Sequence, residues 1–205
     1  MIIKTFVEGE IANNNYLLID EESKEAVLID CTAFIPELKN TLEENGATLK
    51  YILLTHGHFD HLLGVIKTQN EFGCDVYMHK DDQIIVDKSD EFMKAVGMPI
   101  FEHPKFDKYI DENDEFFIGE IPIKVIHLPG HTPGGVGYLV DNMLFAGDTI
   151  FLESVGRTDL PGGNFETLKN SIREKIFTLG DDVIIYPGHG SETTVEHERK
   201  YNEFV

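Results

Sequence analysis

Three histidines and an aspartate fall within His56-Gly57-His58-Phe59-Asp60-His61, directly behind the apolar run Tyr51-Ile52-Leu53-Leu54. The run reads as a buried strand, so the chain must turn sharply at its end. Such a turn puts His56 and His58 on one face, while Asp60 and His61, entering a helix, face the other side. Imidazole nitrogen and carboxylate oxygen are the donors zinc takes in catalytic sites that keep a position open for water. One segment can therefore serve two neighbouring ions. His131, in Leu128-Pro129-Gly130-His131-Thr132, also follows a strand, as do Asp148, in Phe145-Ala146-Gly147-Asp148-Thr149, and His189, in Tyr186-Pro187-Gly188-His189-Gly190. Each has a glycine neighbour that lets the backbone turn at an ion. A fold that obeys this pattern gathers several strand ends at one place.

The rest of the chain supplies the strands. Ile2–Val7, Asn15–Asp20 and Ala26–Asp30 are short apolar runs separated by polar turns, and Ile35–Asn45 reads as a helix with Pro36 early and Gly46 as its stop. The stretch from His79 to Tyr109 reads as mostly helical. Strands resume at Glu115–Ile118, Ile121–His127, Val136–Val140 and Met143–Ala146. A helix spans Phe165 to Leu179 with Asn164 as N-cap. Val183–Tyr186 is a strand, and Thr194–Phe204 is a closing helix with a capping box at Thr193 and Glu196. Strands come in runs, which excludes a simple βαβ repeat and fits layered α/β with mixed sheets. With no repeat, low-complexity tract or linker, residues 1–205 are expected to form a single domain.

Composition removes several function classes. Lys and Arg number 17 against 37 Asp and Glu, for a net charge of −20. That disfavours nucleic acid and anionic membrane surfaces, both of which need clustered cations. No run approaches the roughly 18 apolar residues of a spanning helix. Met1–Glu8 lacks a basic segment followed by an apolar one, so the expected location is the cytoplasm. Cys31 reads as a buried small residue rather than a nucleophile, since nothing near it depresses a thiol pKa. Tyr138 reads as core, and His79, His103, His127 and His197 as ordinary histidines.

The motif His56-x-His58-x-Asp60-His61, followed in order by His131, Asp148 and His189, resembles the metal motifs of the metallo-β-lactamase superfamily along nearly the whole chain. The resemblance implies a four-layer αββα sandwich of two mixed β-sheets, with metals at one edge between them. It implies two divalent ions, zinc first, with iron or manganese as alternatives. His56, His58 and His131 would hold the first ion, and Asp60, His61 and His189 the second, with the Asp148 carboxylate bridging both. Gly147-Asp148-Thr149-Ile150-Phe151 and Pro187-Gly188-His189-Gly190-Ser191 resemble the hydroxyacylglutathione hydrolase (glyoxalase II) group. Gly156-Arg157-Thr158-Asp159-Leu160-Pro161-Gly162-Gly163 resembles short glyoxalase II-like proteins and also persulfide dioxygenases. Only residues 190–205 follow His189, so a weak hold on a glutathione arm is expected.

A bound metal lowers the pKa of water from 15.7 to about 7 and polarises a carbonyl. Asp148 would fix the metal spacing, and Asp60 could accept a hydrogen bond from the nucleophile. A thiolate can depart without prior protonation, whereas an amine needs a general acid that the sequence does not offer. A small thioester is therefore the expected substrate. A lactone and a mononuclear Fe(II) dioxygenase acting on a persulfide, with His56, His131 and Asp148 as ligands, are the alternatives. Arg157 would either grip a substrate carboxylate or pair with Asp159.

Overall fold

The computed structural model describes residues 1–95 and 97–205; Val96, inside the stretch expected to be mostly helical, lies outside the described residues. The first part of the chain forms β1 (Ile2–Glu8), β2 (Asn13–Ile19), β3 (Glu25–Ile29), α1 (Pro36–Asn45), β4 (Thr48–Leu53), α2 (Val65–Phe72), β5 (Asp75–His79), α3 (Gln83–Ala95) and β6 (Lys108–Ile110). Its six strands lie side by side in chain order, antiparallel from β1 to β3 and parallel from β3 to β6. The second part forms β7 (Glu115–Ile118), β8 (Ile121–His127), β9 (Val136–Val140), β10 (Met143–Gly147), a small β11 (Ile150–Phe151) and β12 (Ser154–Val155) ribbon, α4 (Phe165–Ser171), β13 (Ile184–Pro187), β14 (Thr193–Thr194) and α5 (Val195–Tyr201). Its sheet runs β14-β13-β10-β9-β8-β7, with β10 and β13 parallel.

Strand alternation builds the layers. In β2 and β3, Leu17, Ile19, Ala26 and Leu28 pack on Leu38, Leu42 and Val65 of α1 and α2. Their neighbours Tyr16, Leu18, Val27 and Ile29 face Val125, Tyr138 and Phe145 of the other sheet. That sheet's outer face, with Leu144 and Ile185, is covered by Leu168 of α4 and Val195 of α5. The result is the expected helix–sheet–sheet–helix order.

Several elements depart from the sequence reading. β6 stands at the end of the stretch expected to be mostly helical, because a three-residue strand is too short to carry an alternation to read, and β5 ends at His79, where that stretch begins. Asp60 and His61 lie on a single 3-10 turn, Phe59–His61, and α2 begins only at Val65. The helix expected to run to Leu179 widens into a π turn over Ile172–Ile176. Leu168, Ile172 and Ile176 are all fully buried. Steps of four residues drift by about 40° each on a 3.6-residue helix, and the wider turn keeps all three on the sheet. The last helix is capped by Thr194, which accepts from His197 N at 3.2 Å, while Thr193 donates to buried Glu198 at 2.6 Å.

Among the described residues, no helix is long and apolar enough to cross a membrane. Both cysteines are buried and free. Burial pushes the Cys31 thiol up to about 12 and the Cys74 thiol up to about 11. Both should therefore resist iodoacetamide at pH 8 in the native protein and react on unfolding; rapid native labelling of Cys31 would contradict this packing. The same burial makes stability fall as pH rises from 9.0 toward about 12, because the unfolded thiol ionises first.

Candidate metal centre

The strand ends expected to converge do so at one edge of the sandwich. β4 delivers His56, β8 leads to His131, β10 to Asp148 and β13 to His189. Hydrogen bonds lock the two sheets together at this edge. Tyr138 Oη donates to Leu54 O at 2.6 Å, Tyr16 Oη donates to Pro187 O at 2.6 Å, and Val136 N donates to Thr55 O at 2.8 Å. Tyr138 is core, as expected, and its hydroxyl also pins the strand that precedes the histidines.

At this edge three groups of donors have ligand atoms within 4.8 Å of one another: His56, His58 and His131; His56, His61 and Asp148; and Asp60, His61 and His189. Asp148 lies between the outer sets, with Oδ1 3.4 Å from His61 Nε2 and Oδ2 3.7 Å from His131 Nε2 and 3.5 Å from His189 Nε2.

The hydrogen bonds behind the rings determine which nitrogen each presents. His131 Nδ1 faces Arg157 O at 2.7 Å and His189 Nδ1 faces Ile11 O at 3.0 Å; a carbonyl only accepts, so both Nδ1 atoms carry the proton. His61 Nδ1 donates to Asp30 Oδ2 at 2.9 Å. Thr55 Oγ1 gives its proton to the same Asp30 oxygen at 2.8 Å, so it accepts from His56 Nδ1 at 3.1 Å. Four rings thus carry a proton on Nδ1 and turn Nε2 inward, held by the kind of outer partner that orients metal-bound histidine. His58 instead presents Nδ1, 2.9 Å from His131 Nε2. His56 Nε2 and Asp148 Oδ1 are buried without a hydrogen-bond partner among the described residues. Orphaned buried lone pairs on residues of one donor group are what a cation would satisfy.

The charge states agree. Burial, then the neighbouring imidazoles, push His56 well below its usual value, and burial and His131 bring His58 down to about 3. Burial opposes ionisation of Asp60 and Asp148, yet His61 and His189 hold Asp60 at about 2 and Asp148 well below the carboxylate range. Against burial, Asp30, Asp148 and Asp60 raise His61, and Asp148 and Asp60 raise His189 to about 10. His56 and His58 therefore offer neutral imidazoles, and the second set gathers carboxylates that draw positive charge. Both suit divalent cations.

Sequence reasoning missed three supporting residues. Asp30, buried at φ 59°, orients both His61 and Thr55. It ends an apolar run as Asp148 does, a signal that was available. Asp82 is fully buried in the stretch expected to be mostly helical, and burial raises its carboxyl. It accepts from Gly57 N at 2.8 Å, Thr132 Oγ1 at 2.7 Å and Gly134 N at 2.5 Å, clasping the His56–His58 loop to the His131 loop. Asn13 donates to Asp60 Oδ2 at 2.9 Å and lies 3.0 Å from His61 Nε2. Glycine also acts differently from expectation at Gly188, where a Cβ would collide with Asp148 Oδ1 and His61. There the need is close approach, not a turn.

Other candidates fall away on geometry. Arg157 lines the cleft, but its guanidinium is held by Asp159 through two hydrogen bonds of 2.7 Å. His79, Asp81 and His127 are within ligand reach of one another, yet the two rings are stacked with planes 11° apart, so their lone pairs run parallel instead of converging. His103 Nε2 faces both Ser89 Oγ at 3.1 Å and Asp90 Oδ1 at 3.0 Å, and one nitrogen meeting both partners is no proton relay.

The description "Metallo-beta-lactamase superfamily" matches residues 9–189. The chain belongs to that superfamily. It is 35% identical to the hydroxyacylglutathione hydrolase GloC of Haemophilus influenzae, covering 93% of this chain and 92% of that one. Among solved structures, the BLEG-1 B3 metallo-beta-lactamase superimposes with TM-score 0.90 at 35% identity, over 99% of both chains. TTHA1623 in a di-iron-bound form superimposes with TM-score 0.87 at 32% identity, over 98% of this chain and 100% of that one.

Replacing Asp82 by Ala strands three buried donors. We expect a loss of about 2–4 kcal/mol in folding free energy, read from the urea midpoint. Metal affinity should fall about 10–100-fold because two donor loops lose their common anchor. An unchanged midpoint and affinity would refute the clasp.

Proposed function

We propose that the protein is a two-metal hydrolase of thioesters. The observation that carries this reading is the pairing of two donor sets, joined by Asp148, with a cleft that offers, among the described residues, no carboxylic acid, histidine or tyrosine beyond the candidate ligands to protonate a poor leaving group. The titratable residues lining the cleft are the candidate ligands His58, Asp60, His131, Asp148 and His189, together with Lys88 and Arg157. Ser89, also in the wall, spends its proton on Val86 O at 2.6 Å. A thiolate leaves without protonation; an amine does not. The GloC relative, named a hydroxyacylglutathione hydrolase, supports the same substrate class.

Divalent ions held by these residues would supply water acidified to near neutrality and a Lewis acid for the thioester carbonyl. We take zinc as the resident ion, with iron or manganese as the alternatives. His56, His58 and His131 would hold one ion, and Asp60, His61 and His189 the other, with the Asp148 carboxylate placed to serve both sets. Asp60 engages Asn13 through Oδ2 and has Oδ1 left to accept a hydrogen bond from the attacking water. The water oxygen bonds to the acyl carbon, the carbon–sulfur bond breaks, and acid and thiol are released.

Metal-replete protein should hydrolyse lactoyl and acetyl thioesters well above the matching amides. Oxygen uptake on a persulfide, with no thioester cleavage, would overturn this reading in favour of the mononuclear dioxygenase. Asp148→Ala should cost at least about 100-fold in kcat, because it disturbs both donor sets. Arg157→Ala should cost less than about fivefold, expressed mainly in KM: the side chain is exposed and paired with Asp159, and the His131 contact uses its backbone carbonyl. Near-normal kcat in Asp148→Ala would contradict the shared role.

A further inference from the structure

The cleft beside the donors encloses about 550 Å³, far more than a water and a small acyl group require. One wall is a single face of α3. Ile85, Lys88, Ser89 and Phe92 line it at positions i, i+3, i+4 and i+7 of the helix. Phe92 lies against Phe59, ring centroids 5.9 Å apart, and Phe59 directly follows His58. Ile85 reaches the Gly162 turn beside Leu160 and Pro161, which close the same wall. The surface next to the reacting centre is thus apolar, and it belongs to a helix that supplies none of the candidate ligands.

Two cations line the cleft, and they differ. Arg157 is neutralised by Asp159, whereas Lys88 has no carboxylate partner among the described residues. The Ser89 hydroxyl between the apolar residues is satisfied within the protein by Val86 O and His103. Lys88 is the polar group this face leaves for a ligand. In a chain of net charge −20, an ammonium unpaired among the described residues at the cleft wall is the place where an anionic group is tolerated.

We propose that this face of α3 is a binding subsite for one arm of the substrate, an aliphatic or aryl chain lying on Phe59, Ile85 and Phe92 with a terminal carboxylate paired to Lys88. The subsite deepens the thioester reading, which decides only which bond is cut. The arm belongs either to the acyl half or to the thiol half, and the chemistry recognised is the same. It favours apolar anionic arms over a polar peptide such as glutathione.

The test uses 4-phenylbutanoate and 4-phenylbutan-1-ol as probes, titrated against full-length metal-loaded protein by ligand-observed NMR. The carboxylate should bind about three- to fivefold more tightly than the alcohol, the scale of an exposed ion pair. Lys88→Gln should erase that preference, Phe92→Ala should weaken both probes at least about tenfold, and Lys94→Gln, elsewhere on α3, should change neither. A carboxylate preference that survives Lys88→Gln places the anion elsewhere and overturns the proposal, as does unaltered binding in Phe92→Ala. Kinetics then locate the arm: adipoyl thioesters of mercaptoethanol test the acyl side, and acetyl thioesters of 6-mercaptohexanoate test the thiol side. Either should exceed the acetyl thioester of mercaptoethanol by at least about tenfold in kcat/KM. Hydrolysis of all three at equal rates refutes the subsite and leaves the hydrolase standing. The predicted binding pattern without any thioester hydrolysis refutes the hydrolase and leaves the subsite standing.

Discussion

The Asp30 carboxylate is the constraint on which the candidate centre depends. It is buried between the sheets and accepts from Thr55 N, Thr55 Oγ1 and His61 Nδ1. Through the Thr55 hydroxyl it also fixes His56, so one carboxylate sets the tautomer and direction of two rings in different donor sets. Without that chain of bonds, the motif 56–61 would be a polar turn at a strand end. With it, the turn presents lone pairs in chosen directions before any ion arrives, which is the preorganisation that metal sites require.

The sandwich serves the same end. Parallel neighbours β3 and β4 in one sheet, and β10 and β13 in the other, all terminate at one edge, bringing Asp30, His56, Asp148 and His189 together. Asp82 and Tyr138 then tie the loops across the gap between sheets. Helix α3 has two roles: Val86 packs inward on the first sheet, while the neighbouring Ile85 and Phe92 turn to the cleft. Most of the proposed subsite thus lies apart from the candidate ligands in the sequence; Phe59, between His58 and Asp60, joins the two.

The candidate donors stood out in the sequence because their segments follow apolar runs, and His56, His58, His131, Asp148 and His189 sit beside glycine. That local pattern reports strand ends, and strand ends are where layered folds place ligands. The layer order came from resemblance to a known superfamily, since periodicity cannot say which strands share a sheet. Asp82 and the wall of α3 stayed hidden for a different reason. Their stretch begins at the last residue of β5 and contains a 3-10 turn at Lys80–Asp82 and a helix with one face on the core and another on the cleft. Such segments carry no clean period. Asn13 was illegible because its role is set by residues far along the chain, Asp60 and His189.

The central claim is that the two donor sets each hold an ion, with Asp148 shared between them. Anomalous diffraction from crystals of protein saturated with metal tests it directly. Two peaks are predicted about 3.5–4 Å apart, the spacing of two-metal sites. One should lie within bonding distance of His56, His58 and His131, the other of Asp60, His61 and His189, with an Asp148 oxygen touching both. A single peak that persists at saturating metal, with Asp60 and His61 uncoordinated, would contradict the account.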